Sequence, residues 1–342
     1  MKDILKEISE YRDKIYSYFE SEDFKNYVAS VANEYFMNEY FESFKKYCLG
    51  GKCVRGYLVR LGYELAGGTS PDDVFFASVA YEIFEASVLA HDDIVDQSSL
   101  RRGIPSMHVA LGKGEIGMAR ALTVADTGFF LCEHILKNLN LNKKIILDCI
   151  TLQNEIFIKT CCGQLKDIDL SYLKNYTESD VLKMYEMKTA YYTIIGPLIL
   201  GATLSGASKK LIESLKEIGL NLGLLFQTKD DIIGIFGDEK KIGKSNKADI
   251  IEGKKTILTS HFIVNAQAKD LAIFNKFYGT NKKKSSEIIK ELFIKTSTLD
   301  YANKQCETFY EKTKELIKNS DFDKQGKAKL LNFSKFIYER EK

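Results

Sequence analysis

The 342 residues are 45% hydrophobic and 28% charged, enough apolar surface for a packed core, which excludes a disordered chain. The formal net charge is +2, from 49 Lys and Arg against 47 Asp and Glu that interleave along the sequence, so no basic stripe is available to track nucleic acid and none is expected as a partner. Seven scattered cysteines, odd in number and without CxxC spacing, give neither a zinc site nor a disulfide framework and point to a reducing, cytoplasmic setting.

With three prolines and long stretches of helical apolar spacing, the chain reads as all-α, a single large domain over residues 1–342. The opening MKDILKEISEYRDKIYSYFE is charged from its second residue, lacks a signal-peptide core and reads as an exposed helix. A glycine break, GGKCVRG, places Lys52 and Arg55 in a loop. Next comes an apolar helix ending in HDDIVDQSSLRRGIP. At about 100° per residue, Asp92, Asp93 and Asp96 fall within an arc of about 100° on one face. Such like charges repel and call for a compensating hard cation, and the following Arg101 and Arg102 suit the oxygens of a phosphate.

Farther along, Thr189 to Ser208 is uncharged over about the length of a membrane span. Its Gly, Ser and Thr content and the break at Gly196-Pro197 favour a buried core helix, and no other segment resembles it, so no membrane span is expected. A second apolar helix then ends in FQTKDDIIGIFGD, with Asp230 and Asp231 and with Gly234 at the third acidic position. The loop GKSNKADIIEGKKT adds Lys244 and Lys254, Lys188 lies upstream in KTA, and Lys282 to Lys284 read as a solvated turn. One acidic cluster on a helix is commonly only a solvated face. Two such ends, each leading into a glycine- and lysine-bearing loop, describe metal ions holding diphosphates across a cavity.

Taken in order, GGKCVRG, HDDIVDQSSLRRGIPSMH, GQLKD, KTA, FQTKDDIIGIFGD and GKSNKADIIEGKKT resemble the motifs of the trans-isoprenyl diphosphate synthases, the farnesyl, geranylgeranyl and longer polyprenyl diphosphate synthases. The final YEREK is similar to the basic terminus of many members. The resemblance implies a homodimer of helical bundles, each about a dozen helices around a central cavity, that condense isopentenyl diphosphate with dimethylallyl, geranyl or farnesyl diphosphate. It implies that Asp92, Asp96 and Asp230 coordinate Mg2+ with Asp93 and Asp231 in support. Arg101, Lys188, Gln227, Lys244 and Lys254 would hold the allylic diphosphate, and Lys52, Arg55 and Arg102 the isopentenyl diphosphate. Thr189 and Gln227 would stabilise the allylic cation, and departing pyrophosphate would take the final proton.

Four positions depart from the family pattern. Cys53 replaces an arginine, Gly56 a proline and Gly234 an aspartate, while Glu85 stands where the family carries His or Gln beside the isopentenyl diphosphate. A carboxylate there repels a diphosphate unless a lysine or a proton neutralises it. Below the first acidic cluster Ser87 and Val88 are small, so the growing tail is expected to reach Phe84 and Tyr81, whose rings would form the floor of a geranylgeranyl-sized cavity. Replacing both with alanine should lengthen the product. Two rival functions share these residues: a terpene synthase on the same scaffold, favoured by Cys53 and Glu85, and a non-catalytic subunit of a heteromeric synthase.

Overall fold

The computed structural model describes residues 2–173, 175–238 and 247–341. In chain order the elements are α1 (Lys2–Phe19), α2 (Glu22–Val31), α3 (Glu39–Cys48), α4 (Val54–Leu65), α5 (Pro71–Val95), β1 (Leu100–Arg101), β2 (Ile104–Pro105), α6 (Met107–Ala110), α7 (Gly114–Lys137), α8 (Lys143–Tyr172) and α9 (Glu178–Tyr185). A π-helix (Glu186–Ile195) leads into α10 (Gly196–Leu204), α11 (Lys209–Phe236), α12 (Ala248–Glu252), α13 (Ile257–Asn265), α14 (Ala268–Phe277), α15 (Ser285–Lys295), α16 (Thr298–Asn319) and α17 (Lys324–Glu339). The all-α expectation holds. Among the described residues the only strands are the two-residue β1 and β2.

Backbone contacts divide the chain into two compact units interleaved in sequence. One holds Lys2–Asn154 and Pro197–Ile212, the other Glu155–Gly196 and Glu213–Lys342. The first acidic motif belongs to the former and the second to the latter.

In the first unit α1 is not the exposed helix expected from its charge. Ile4, Ile8, Tyr11, Ile15 and Phe19 recur every three to four residues and are all buried, so the charged residues cover one side of an amphipathic helix. Helix α5, which packs most extensively on α7 and α4, is apolar nearly all round. Its segment Asp72–Val95 is long and apolar enough to cross a membrane by length and composition, and 78% of its apolar window is buried. The expectation that Thr189 to Ser208 stands alone in this respect is thereby corrected. That stretch changes from π-helix to α10 at Gly196, beside a proline that has no N–H for the helical ladder, and Ala190, Ile194, Leu198, Ile199 and Leu200 are buried.

In the second unit the core gathers around Phe262, whose ring lies 4.8 Å from Phe274 and 5.5 Å from Phe293. Helices α16 and α17 pack as a pair, with the rings of Tyr310 and Tyr338 stacked at 4.5 Å. Lys282 to Lys284 form the exposed turn expected of them.

Candidate active site

Helix α5 ends at Val95 with Asp96 as its C-cap, and the chain folds back through β1 and β2, Leu100 opposite Pro105 and Arg101 opposite Ile104. The two-residue turn between them, Arg102-Gly103, has φ of 53° and 82°, the positive values that match the twist of a tight hairpin and that glycine accepts without strain. This hairpin delivers two guanidinium groups. Arg101 donates through Nε to Asp93 Oδ1 at 2.8 Å and through Nη2 to the same oxygen, and its Nη2 lies 3.6 Å from Asp92 Oδ2. Tyr47 donates its hydroxyl to Asp93 Oδ2 at 2.7 Å and accepts the Met107 N–H at 2.6 Å. Burial and the Asp93 carboxylate push the Tyr47 hydroxyl well above its ordinary pKa. Asp93 is therefore fully buried, whereas Asp92 keeps 22% of its side chain exposed. The expected arc of three carboxylates on one face divides, because Asp93 finds an arginine and a tyrosine on the inner side.

Arg102 reaches the other way. Its Nη2 donates to Glu85 Oε1 at 3.0 Å, and Arg55 Nη1 lies 2.6 Å from the same oxygen. A Cβ at Gly50 or Gly51 would lie 2.9 Å from the Arg102 side chain, so the glycine pair is what gives the guanidinium room. Burial raises the Glu85 pKa, but Arg55, Arg102 and the hydrogen bond with Glu82 outweigh it and hold Glu85 below its usual value. Burial and the Glu85 charge push Glu82 up to about 8, so at neutral pH the pair carries a proton on Glu82 and a charge on Glu85. The neutralising cations are thus the two arginines assigned to the isopentenyl diphosphate. Lys52 is exposed in the loop before α4, whereas Arg55, expected in that loop, lies in the first turn of α4.

At the second acidic end the construction recurs. Tyr185 donates its hydroxyl to Asp231 Oδ2 and accepts the Ile257 N–H at 2.9 Å. Gln227 Nε2 donates to Asp231 Oδ1 at 2.9 Å, and Thr189 Oγ1 donates to Gln227 Oε1 at 2.8 Å, so the fold brings Thr189 and Gln227 into one hydrogen-bonded chain with Asp231. Burial pushes Asp231 up to about 7. Asp230 is 45% exposed and ion-paired with Arg340, whose guanidinium lies 4.0 Å from the centre of the Phe226 ring. Lys188 Nζ donates to Asp167 of GQLKD at 2.6 Å. Lys254 lies 3.4 Å from Asp249 and 3.2 Å from Glu252, and Lys244 falls outside the described residues. At Gly234 a Cβ would lie 2.2 Å from Asp249 Oδ2, so the carboxylate missing from the motif is replaced in space by one from α12.

The sequence profile of the polyprenyl synthetases matches residues 38–295, more than half of the chain. The chain belongs to the polyprenyl synthetase family. The geranylgeranyl diphosphate synthase of Sulfolobus acidocaldarius is 30% identical over 335 residues, covering 95% of this chain and 100% of that protein. The geranylgeranyl diphosphate synthase of Methanosarcina mazei is 32% identical over 294 residues, covering 85% and 86%. Among solved structures, a geranylgeranyl pyrophosphate synthase from Corynebacterium glutamicum, complexed with isoprenyl diphosphate and magnesium, superposes with a TM-score of 0.90 at 23% identity, over 97% of this chain and 99% of that one. At that identity the likeness is one of fold.

At each acidic end of this synthetase the carboxylates suit a hard divalent cation. Among the described residues no three His, Cys, Asp or Glu gather into a protein-only metal cage. Magnesium does not need one, since it commonly takes one or two carboxylates and completes its shell with water and substrate phosphate. Asp92, Asp96 and Asp230 offer oxygen donors of that kind.

The expected floor residues of this synthetase also have definite neighbours. The rings of Tyr81 and Phe84 lie 5.5 Å apart, and Phe84 meets Phe129 of α7 at 5.7 Å. Ser87 donates to Ile83 O at 3.0 Å, and a Cβ at Gly128 would lie 2.1 Å from its hydroxyl, while Val88 is half-buried. Tyr47, Glu82, Phe129 and Tyr185 lie outside the sequence motifs, whereas Asp167, Asp249 and Arg340 lie within GQLKD, GKSNKADIIEGKKT and YEREK, where the sequence assigns them no role. Two left a signal, because Tyr47 and Tyr185 each precede the aspartate they bond by 46 residues.

Proposed function

We propose that this polyprenyl synthetase joins isopentenyl diphosphate head to tail to an allylic diphosphate, whether dimethylallyl, geranyl or farnesyl, and releases geranylgeranyl diphosphate, with magnesium as cofactor. The observation that carries this is the repeated construction of the two acidic helix ends. Each buries its second aspartate on a tyrosine hydroxyl and leaves the first the more exposed, Asp92 at 22% and Asp230 at 45%. Asp92, Asp96 and Asp230 hold the metal, which when bound neutralises charge developing on a departing pyrophosphate. Arg101, Lys188, Lys244 and Lys254 bind the allylic diphosphate, and Lys52, Arg55 and Arg102 the isopentenyl diphosphate. The allylic carbon–oxygen bond breaks with its electron pair leaving on pyrophosphate, and the isopentenyl double bond attacks the cation. Pyrophosphate takes the proton released as the new double bond forms. The hydroxyl and amide dipoles of Thr189 and Gln227, held by their mutual hydrogen bond, stabilise the cation.

The same proposal places all 342 residues in one catalytic domain, in the cytoplasm, without a membrane span and as a homodimer. Support for the dimer comes from α7, where Ile116 and Phe130 are 64% and 72% exposed, large apolar side chains of the kind interfaces cover. Purified protein with magnesium and an allylic diphosphate, assayed with and without isopentenyl diphosphate, tests the function. Elongated diphosphate formed only with isopentenyl diphosphate is the expected result. A hydrocarbon or alcohol formed without it would instead identify a terpene synthase, and no product at all a non-catalytic subunit.

A further inference from the structure

Three of the four departures from the family pattern meet in one buried cluster. The carboxyl of Glu82 is its hub, accepting the Gly56 N–H at 2.6 Å, bonded to the Cys53 thiol and sharing a hydrogen bond with Glu85. A proline at 56 has no N–H to give, and a Cβ there would lie 3.1 Å from Glu82 Oε1, so glycine at this position and the buried acid pair belong together. One helical turn on, the Glu85 carboxylate, 6% exposed, occupies the space between Arg55 Nη1 at 2.6 Å and Arg102 Nη2 at 3.0 Å. Carboxylate and phosphate oxygens make the same forked contacts with guanidinium groups, so Glu85 sits on these arginines as a substrate oxygen would.

We infer that Glu85 is a positioning residue for the isopentenyl diphosphate site, fixing Arg55 and Arg102 as a preformed anion seat while cancelling one of their two charges, so that diphosphate binds there weakly. This rests on the function proposed above. A diphosphate arriving at Arg55 and Arg102 shares them with a buried carboxylate that is already ionised, and the arginine pair works with a net charge of one rather than two. Arg101, bonded to Asp93, lies outside this cluster, so the effect is confined to one of the two substrates.

The test is steady-state kinetics with each substrate varied in turn, for the wild type, Glu85→Gln and Glu85→Asp. Glu85→Gln keeps an acceptor but removes the charge, and its KM for isopentenyl diphosphate is expected to fall roughly tenfold while the KM for the allylic substrate does not move. Glu85→Asp keeps the charge on a shorter stem, and its KM for isopentenyl diphosphate is expected to rise. An unchanged or higher KM for isopentenyl diphosphate in Glu85→Gln, or equal shifts for both substrates, overturns the inference. So does a Glu85→Asp enzyme that behaves like Glu85→Gln. Titration of each protein with inorganic pyrophosphate by calorimetry needs no turnover, and tighter binding by Glu85→Gln is the expected result there. If the wild type makes no elongated product, the proposed function fails, and the titration still decides the role of Glu85.

Discussion

The two acidic helix ends are built on one plan and finished differently. In each, a tyrosine 46 residues upstream donates to the second aspartate and accepts a backbone N–H from a later segment, Met107 in one and Ile257 in the other. At the first end the remaining partner of the buried carboxylate is a cation, Arg101. At the second it is the neutral amide of Gln227, and burial drives Asp231 up to about 7. The more exposed aspartates each pair with an arginine, Asp92 with that of its own hairpin and Asp230 with Arg340 just beyond the end of α17. The third acidic position holds Asp96 at one end and Gly234, overlaid by Asp249, at the other. A tyrosine hydroxyl tied to a later backbone N–H fixes where the buried carboxylate stands at each end, and local partners decide how it is charged and how much stability its loss costs.

If the exposed aspartates are equivalent in function, Asp92→Asn and Asp230→Asn should each lower kcat by about a thousandfold or more, with a steeper magnesium requirement. A loss at one end only would break the equivalence. The buried aspartates should separate the ends in stability. Asp93→Asn removes the nearer of the two carboxylates that balance the largely buried Arg101, leaving Asp92 at 3.6 Å, and is expected to cost about 3 kcal/mol in urea unfolding. Asp231→Asn, which replaces a group already partly protonated near neutral pH and keeps its acceptor for Tyr185, should cost about 1 kcal/mol or less.

Gly234→Asp restores the family residue, yet its Cβ would meet Asp249 Oδ2 at 2.2 Å, and it should destabilise by about 2 kcal/mol. Adding Asp249→Gly should recover much of that loss, and equal melting temperatures for wild type and Gly234→Asp would show that α12 yields freely. The smallest effect is expected from Glu82. Its folded pKa lies near 8 against an ordinary 4.5, so the folded chain holds the extra proton across that window and the group's contribution to stability declines as pH rises through it. Glu82→Gln should flatten that part of the melting temperature profile. An unaltered slope would place the titration elsewhere.

Several of these features are legible in the sequence alone. Helical apolar spacing gave the all-α class, and the ordered motifs gave the family. Asp92 and Asp96 follow from an i, i+4 spacing, and Thr189 and Gln227 from two separate motifs that the fold brings into a hydrogen bond at 2.8 Å. The departures at Cys53, Gly56 and Glu85 were visible singly as losses. Their meeting at Glu82 was not, because residues 53 and 56 open α4 while 82 and 85 lie on α5, and nothing in local sequence reports a distance between those helices.

Sequence by itself determined what is periodic or contiguous: helices, an apolar α5, acidic pairs at helix ends and the chemistry those residue types permit. Tertiary structure decided the partners. It turned Asp93 inward onto Tyr47 and Arg101, set Glu85 between two arginines, brought Asp249 over Gly234 and laid Arg340 on Asp230. The reason is physical. Propensity and amphipathicity act over a few residues, whereas burial and ion pairing act through space, and the charge a carboxylate carries depends on neighbours that only the folded chain assembles.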